Sequence, residues 1–169
     1  MARIKDTPKI LQKQINERLT LDRKQKAQLD NVADKVRDTM LDLISKGISP
    51  IGNNKRFPAY KNPTNYPDRA RSQFPGKRRR PVNLFLSGDF LGSFLVGFLN
   101  PKPRGKNDNR TGLEISLGFK SNRSKLKERG HREGAGGQPR RPIIPEGNET
   151  FSQKITLLLR RELIRVFNL

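Results

Sequence analysis

Between residues 21 and 46 apolar side chains recur at helical spacing. Leu29, Val32, Ala33, Val36, Met40, Leu43 and Ile44 share one face, and Asp, Lys and Arg occupy the other. Gly47 follows as the stop signal. A single stripe on so long a helix predicts that other parts of the fold cover it. A shorter helix is expected over residues 8–18, with Ile10, Leu11 and Ile15 on one side.

From 48 to 81 the periodicity stops. Pro50, Pro58, Pro63, Pro67, Pro75 and Pro81 recur among Asn, Tyr and basic residues, which reads as an extended excursion. Ordering so long an arm requires a partner surface, so deleting residues 50–80 is expected to leave a folded monomer that no longer assembles. Ser87 is placed to cap a short helix over 88–95, whose Phe90, Leu91, Phe94 and Leu95 form an apolar face. Residues 96–99 and 113–119 alternate, Glu114 and Ser116 opposing Leu113, Ile115 and Leu117, and predict two strands joined by the polar tip PKPRGKNDNRTG. Residues 121–147 read as a glycine-rich basic loop with one helical turn at 124–129. The tail, 150–169, is helical again. Thr150 and Gln153 fit a capping box, and Phe151, Ile155, Leu158, Leu159, Leu163 and Val166 form the stripe. Leu157, Ile164 and Phe167 fall outside it and widen the apolar surface, so they are candidate subunit-interface residues.

These patterns predict one α+β domain. A small antiparallel sheet, the hairpin at about 96–119, is packed by the long N-terminal helix and the C-terminal helix. The remainder is an N-terminal extension (1–20), a proline-rich basic arm (48–81), the hairpin tip (100–112) and the loop at 121–147.

Composition sharpens this picture. Only 32% of the 169 residues are hydrophobic, mean hydropathy is −0.82, and 14 Gly and 12 Pro are present, so the core uses only part of the chain. Thirty-six Lys and Arg against 16 Asp and Glu give a net charge of +20, which attracts polyanions. Residues 1–46 hold 11 basic and 7 acidic groups, 47–147 hold 21 and 7, and 148–169 hold 4 and 2. The excess therefore sits in the loops and hairpin, whereas a helix that reads the DNA major groove concentrates its cations along itself. Lys77, Arg78, Arg79, Arg80, Lys102, Arg104, Lys106 and Arg110 suit contact with backbone phosphates without base reading. The lack of cysteine excludes a disulfide framework and thiolate metal sites. The longest charge-poor run, 81–101, carries Asp89, Asn83 and Asn100 and cannot span a membrane, and MARIKDTPKI lacks the apolar centre of a signal peptide. A soluble chain with no membrane partner is expected.

Catalysis has little to stand on. One histidine, His131, and scattered carboxylates leave no nucleophile paired with a base, no HExxH and no phosphate loop, so neither an enzyme nor a cofactor is expected. GHREGAGGQP lacks the preceding strand and following apolar helix of a dinucleotide fingerprint. His131 with Glu133 makes a poor metal site, and His131 is expected instead to fix its loop through hydrogen bonds.

Three segments in order, NLFLSGDFLGSF (83–94), GHREG (130–134) and RRPIIP (140–145), resemble the head-tail joining proteins of tailed bacteriophages, the neck or tail-completion class also described as virion morphogenesis proteins. In that family a T/S-G-x-L-x-x-S helix start precedes a hairpin, and an H-x-x-G segment precedes an R-P-hydrophobic element and a last helix. Ser87, Gly88, Leu91 and Ser93 sit near the first motif, His131 and Gly134 fit the second, and Arg141, Pro142 and Ile143 the third. GISPIGNNKRFPAYKNP is similar to the proline-rich stretch some members carry after their long helix. The first motif departs by one residue of spacing, Ile143 stands where an aromatic is common, and the loops are unusually basic. The resemblance spans about residues 22–167. It implies a virion protein assembled in the host bacterial cytoplasm, a homo-oligomeric ring of six or twelve copies between portal or adaptor and tail terminator or tail tube, lining a channel for genomic DNA. Such a ring closes through two different patches per copy, for which the C-terminal helix and the arm aromatics Phe57, Tyr60, Tyr66 and Phe74 are candidates.

The other reading is a small basic RNA- or DNA-binding protein of ribosomal or chromatin type. Aromatic residues interleave with Lys and Arg in the arm, but no stacking platform falls on a strand. If the loop cations meet phosphates, changing Arg78, Arg79 and Arg80 together to Ser lowers the slope of log affinity for DNA against log salt by up to about three units at unchanged fold. A salt titration of binding reads this, and an unchanged slope assigns those three residues to protein or solvent.

Overall fold

A computed structural model describes residues 21–52, 55–60, 81–84, 88–99 and 113–168. The expected helix at 8–18, the hairpin tip and most of the basic arm lie outside the described residues. Helix α1, Arg23–Ser45, begins with a reciprocal capping box: the Asp22 carboxylate accepts from the Gln25 N–H and the Gln25 side chain accepts from the Asp22 N–H. It ends in a Schellman turn, with Gly47 N–H on Ile44 O and Ile48 N–H on Leu43 O. Gly47 takes φ +73°, and a Cβ there would collide with Pro81, so glycine is required by both conformation and packing. All seven residues of the expected stripe are buried.

The fold is α+β, as the sequence predicts. Strands β1 (Phe94–Leu99) and β2 (Glu114–Phe119) pair antiparallel, with Phe94 opposite Phe119 and Leu99 opposite Glu114. Phe94, Val96 and Phe98 and their partners Phe119, Leu117 and Ile115 turn toward the core. Leu95 and Leu99 face away and are exposed. Helix α1 packs against β1 on one side and against the last helix, α4 (Gln153–Phe167), on the other. Arg37 ties α1 to the hairpin by donating to Phe94 O at 3.0 Å.

Four expectations are corrected. The helix placed at 88–95 is a single turn, α2 (Asp89–Gly92), preceded by Gly88 at φ +86° rather than by a capping side chain. Phe94 and Leu95 belong to β1, because the inside-outside alternation of Val96–Leu99 continues two residues upstream with Phe94 fully buried. The loop at 121–147 contains a twelve-residue helix, α3 (Asn122–Glu133), whose N-cap Ser121 accepts from Ser124 N–H at 3.1 Å, followed by the 3-10 turn Ala135–Gly137. The Thr150–Gln153 capping box is absent: Ser152 is the N-cap of α4, and its buried hydroxyl makes no cap bond.

The start of the arm is part of the core. Pro50 is fully buried, Ile51 bridges to Phe151, Ser152 N–H donates to Pro50 O at 2.8 Å, and Phe57 is buried. Deleting residues 50–80 would therefore remove core, and an arm deletion that preserves the fold has to start beyond Tyr60.

One charged side chain lies within the stripe of α4. Glu162 is 4% exposed and accepts Lys35 Nζ at 2.6 Å from α1, with Arg161 Nε at 3.0 Å and Arg165 Nη1 at 3.3 Å from its own helix. The Lys35 hydrogen bond, aided by Arg161 and opposed by burial, holds the Glu162 carboxyl below the usual carboxylate range. A depressed pKa contributes stability that is present above the unfolded-state pKa and lost as pH falls through the folded value. The three cations keep more than half of their side-chain surface exposed and can rehydrate. Glu162→Gln is thus expected to cost about 1–2 kcal/mol at neutral pH. Melting curves should show the deficit shrinking as pH drops below the carboxylate range; a deficit constant with pH would remove the charge from the explanation.

Candidate functional site

The motif segments, the first of them far in sequence from the other two, meet at one junction beside the hairpin. In α2, Gly88 begins the turn, Leu91 is half-buried against the core, and Ser93 Oγ closes the turn by donating to Phe90 O at 3.0 Å. Phe90, buried, stacks on Phe119 with centroids 5.0 Å apart and meets the His131 ring of α3 at 5.5 Å. Gly134, at φ +75°, ends α3 and turns the chain. The following strap runs back along α3: Arg141 N–H donates to His131 O at 2.7 Å, Arg140 Nε to Arg132 O at 2.7 Å, and the Arg132 guanidinium to Ile144 O. Pro142 O accepts from Ser49 Oγ at 3.3 Å, and Ile143 is fully buried in the core.

Arg141 anchors this strap to the arm. Only 1% of it is exposed; Nε donates to Pro58 O at 2.9 Å, and the guanidinium carbon lies 4.4 Å from the Tyr60 ring centroid. Burial pulls the Arg141 pKa down and pushes the Tyr60 phenol up. A cavity of about 270 Å³ opens here, lined by Tyr60, Leu84, Phe90, Lys127, Gly130, His131, Ala135, Gln138, Pro139 and Arg141.

Arg132 is the second buried cation of the region, and pattern reading passed over it. Glu149 accepts from its Nη1 at 3.0 Å, and Glu146 and Glu128 lie 3.3 and 3.4 Å from its Nε. Burial pushes the Glu128 carboxyl up, with Arg132 opposing. The i, i+4 spacing of Glu128 and Arg132 is the one trace of this pair in the sequence.

The remaining site expectations divide. Lys77, Arg78, Arg79, Arg80, Lys102, Arg104, Lys106, Arg110, Tyr66, Phe74 and Ser87 lie outside the described residues. Phe57 belongs to the chain's own core and offers a neighbour little surface, and Tyr60 packs on Arg141. On α4, Leu157 is 54% exposed, whereas Ile164 and Phe167 are half-buried against the core. Among the described residues no group of three or more His, Asp or Glu is placed to hold a metal ion, and no helix is long and apolar enough to cross a membrane. No family model matches the chain, and neither a curated protein nor a solved structure is significantly similar to it.

The turn after α3 discriminates between glycines. A Cβ on Gly134 would sit 2.5 Å from Gln138 O, whereas one on Gly136, also at positive φ, would meet nothing within 4 Å. Gly136→Ala is expected to cost about 1 kcal/mol, and Gly134→Ala at least about 2 kcal/mol, because backbone must move as well. Denaturant midpoints for the two variants compare them directly, and equal losses would mean the strap yields freely.

Proposed function

We propose that the chain is a structural protein of a tailed-bacteriophage virion, forming a ring in the neck between the portal or adaptor and the tail. The observation that carries the reading is the order of three segments, NLFLSGDFLGSF, GHREG and RRPIIP, along a chain with a long helix ahead of them and a helical end. Their residues serve one junction in the fold, which favours an architectural role for them over a chemical one. Ring closure needs a patch on each copy that its own core does not use. Leu157 supplies apolar surface of that kind on the outer side of α4, with Arg160 and Arg161 beside it exposed.

In this role the protein is not an enzyme. Its neighbours are copies of itself, the portal or adaptor on one side and the tail terminator or tail tube on the other. The positive excess of the loops would meet genomic DNA through phosphates alone, so that DNA can pass without being held at a sequence. The +20 charge also favours a second reading, a small nucleic-acid-binding protein outside any virion.

Light scattering after nuclease treatment in moderate salt, with negative-stain images, separates the two. Closed rings are expected, and Leu157→Glu should give a folded monomer with an unchanged circular dichroism spectrum. A chain that stays monomeric, retains nucleic acid until digested and never closes when portal or tail partners are added would overturn the neck reading.

A further inference from the structure

The two buried arginines beside α3 are compensated in opposite ways. Arg132 has three carboxylates around it. Arg141 has none among the described residues: Nε uses a backbone carbonyl, Tyr60 covers a face, and Nη2 is buried without a hydrogen-bond partner. A guanidinium stays protonated in a protein, and a buried cation lacking a counter-charge is strongly unfavourable. Gln138 Oε1 is also buried without a partner; being an acceptor it is not served by an anion, and the side chain can face one only with its amide turned to present Nε2. Both residues border the same cavity.

The rest of the lining gives the missing group its chemistry. Leu84, Phe90, Ala135 and Pro139 make the walls apolar, and Lys127 adds a cation. Leu84 is held at φ +49°, a conformation costly for a branched apolar residue and one that recurs where a wall is shaped for a ligand. Free inorganic phosphate would leave those walls uncovered. A cavity of about 150 Å³ accepts benzene, so about 270 Å³ accommodates an aryl or alkyl group together with an acidic head.

We propose that this cavity binds a monocarboxylate carried on an apolar body, with the carboxylate neutralising Arg141 and the body lying against Phe90, Leu84 and Pro139. Nη2 is shielded from solvent, so the ligand completes the site through a side-chain adjustment, not by docking on an open surface. The carboxylate belongs either to a free small molecule or to an acidic side chain of a neighbouring protein chain. The site does not depend on the neck reading.

Calorimetric titration of the full chain with 3-phenylpropionate, 3-phenylpropanol and inorganic phosphate at one ionic strength tests it. The carboxylate is expected to bind at least about tenfold more tightly than the alcohol or phosphate. Ala135→Trp, at an exposed position on the cavity wall, should weaken it at least about tenfold without changing the melting temperature; Arg141→Lys, which keeps the charge but loses the fork and the bond to Pro58 O, should weaken it as much and lower the melting temperature as well. Equal affinity for carboxylate and alcohol, phosphate binding as tightly as the carboxylate, or carboxylate binding untouched by Ala135→Trp would overturn the proposal. With the site established, the particle mass at saturating 3-phenylpropionate identifies the source. A fall in mass assigns the natural carboxylate to a neighbouring chain, and an unchanged mass assigns it to a free ligand.

Discussion

The apolar stripe of α1 has to be kept from water from Leu29 to Ile44, and the rest of the molecule is arranged around that requirement. Twenty-three residues with seven buried on one face cannot hold a helix in isolation at this composition. Helix α4 covers one flank of the stripe and β1 the other. A two-stranded sheet is marginal by itself. Here the hairpin borrows stability from the helix it covers, through Phe94, Val96 and Phe98 on β1 and Ile115, Leu117 and Phe119 on β2. The first residues of the arm then close the end of the layer, bridging to the segment that leads into α4.

Buried charges decide how these layers are joined. Glu162 sits inside the α4 stripe, yet its carboxylate reaches cations at the rim, so its desolvation is offset and it favours the ionised form. Glu128 is the reverse: burial favours its neutral form, and the stability it contributes is lost as pH rises through its folded pKa. The two carboxyls therefore pull the pH dependence in opposite directions. Glu162 binds α4 to α1, and the Glu128–Arg132 cluster binds α3 to the strap that carries Arg141. Acid loosens the first junction, whereas in the second burial of Glu128 and its attraction to Arg132 oppose each other.

Elements with an apolar stripe were legible in the sequence, and α3 shows why others were not. Its buried residues are Ser124, Glu128 and Arg132, at perfect i, i+4 spacing but polar, so a search for hydrophobic periodicity passes over it, and its Leu126 points to solvent. Phe94 and Leu95 failed for a different reason. In FLGSFLVGFL the apolar positions fit both periods, and only packing against α1 selects the strand. The motif residues were legible as a set, whereas their function as a junction was not. Pro58 and Tyr60, which Arg141 holds, are more than eighty residues away, and no local pattern joins them.

Arg141 connects these observations. An arginine in that place could have been satisfied by a carboxylate from α3, which already sends Glu128 to Arg132 only nine residues earlier in the chain. Instead Nε takes the single carbonyl of Pro58, which fixes the arm, and Nη2 is left over. If holding the arm were its whole purpose, a neutral donor would serve at lower desolvation cost. Beyond its contact with Tyr60 the charge meets no counter-charge among the described residues, and the cavity at that residue has apolar walls, which is what the proposed carboxylate on an apolar body answers. Architecture and recognition are thereby concentrated in one side chain: the same guanidinium that closes the fold leaves an unmet charge within it.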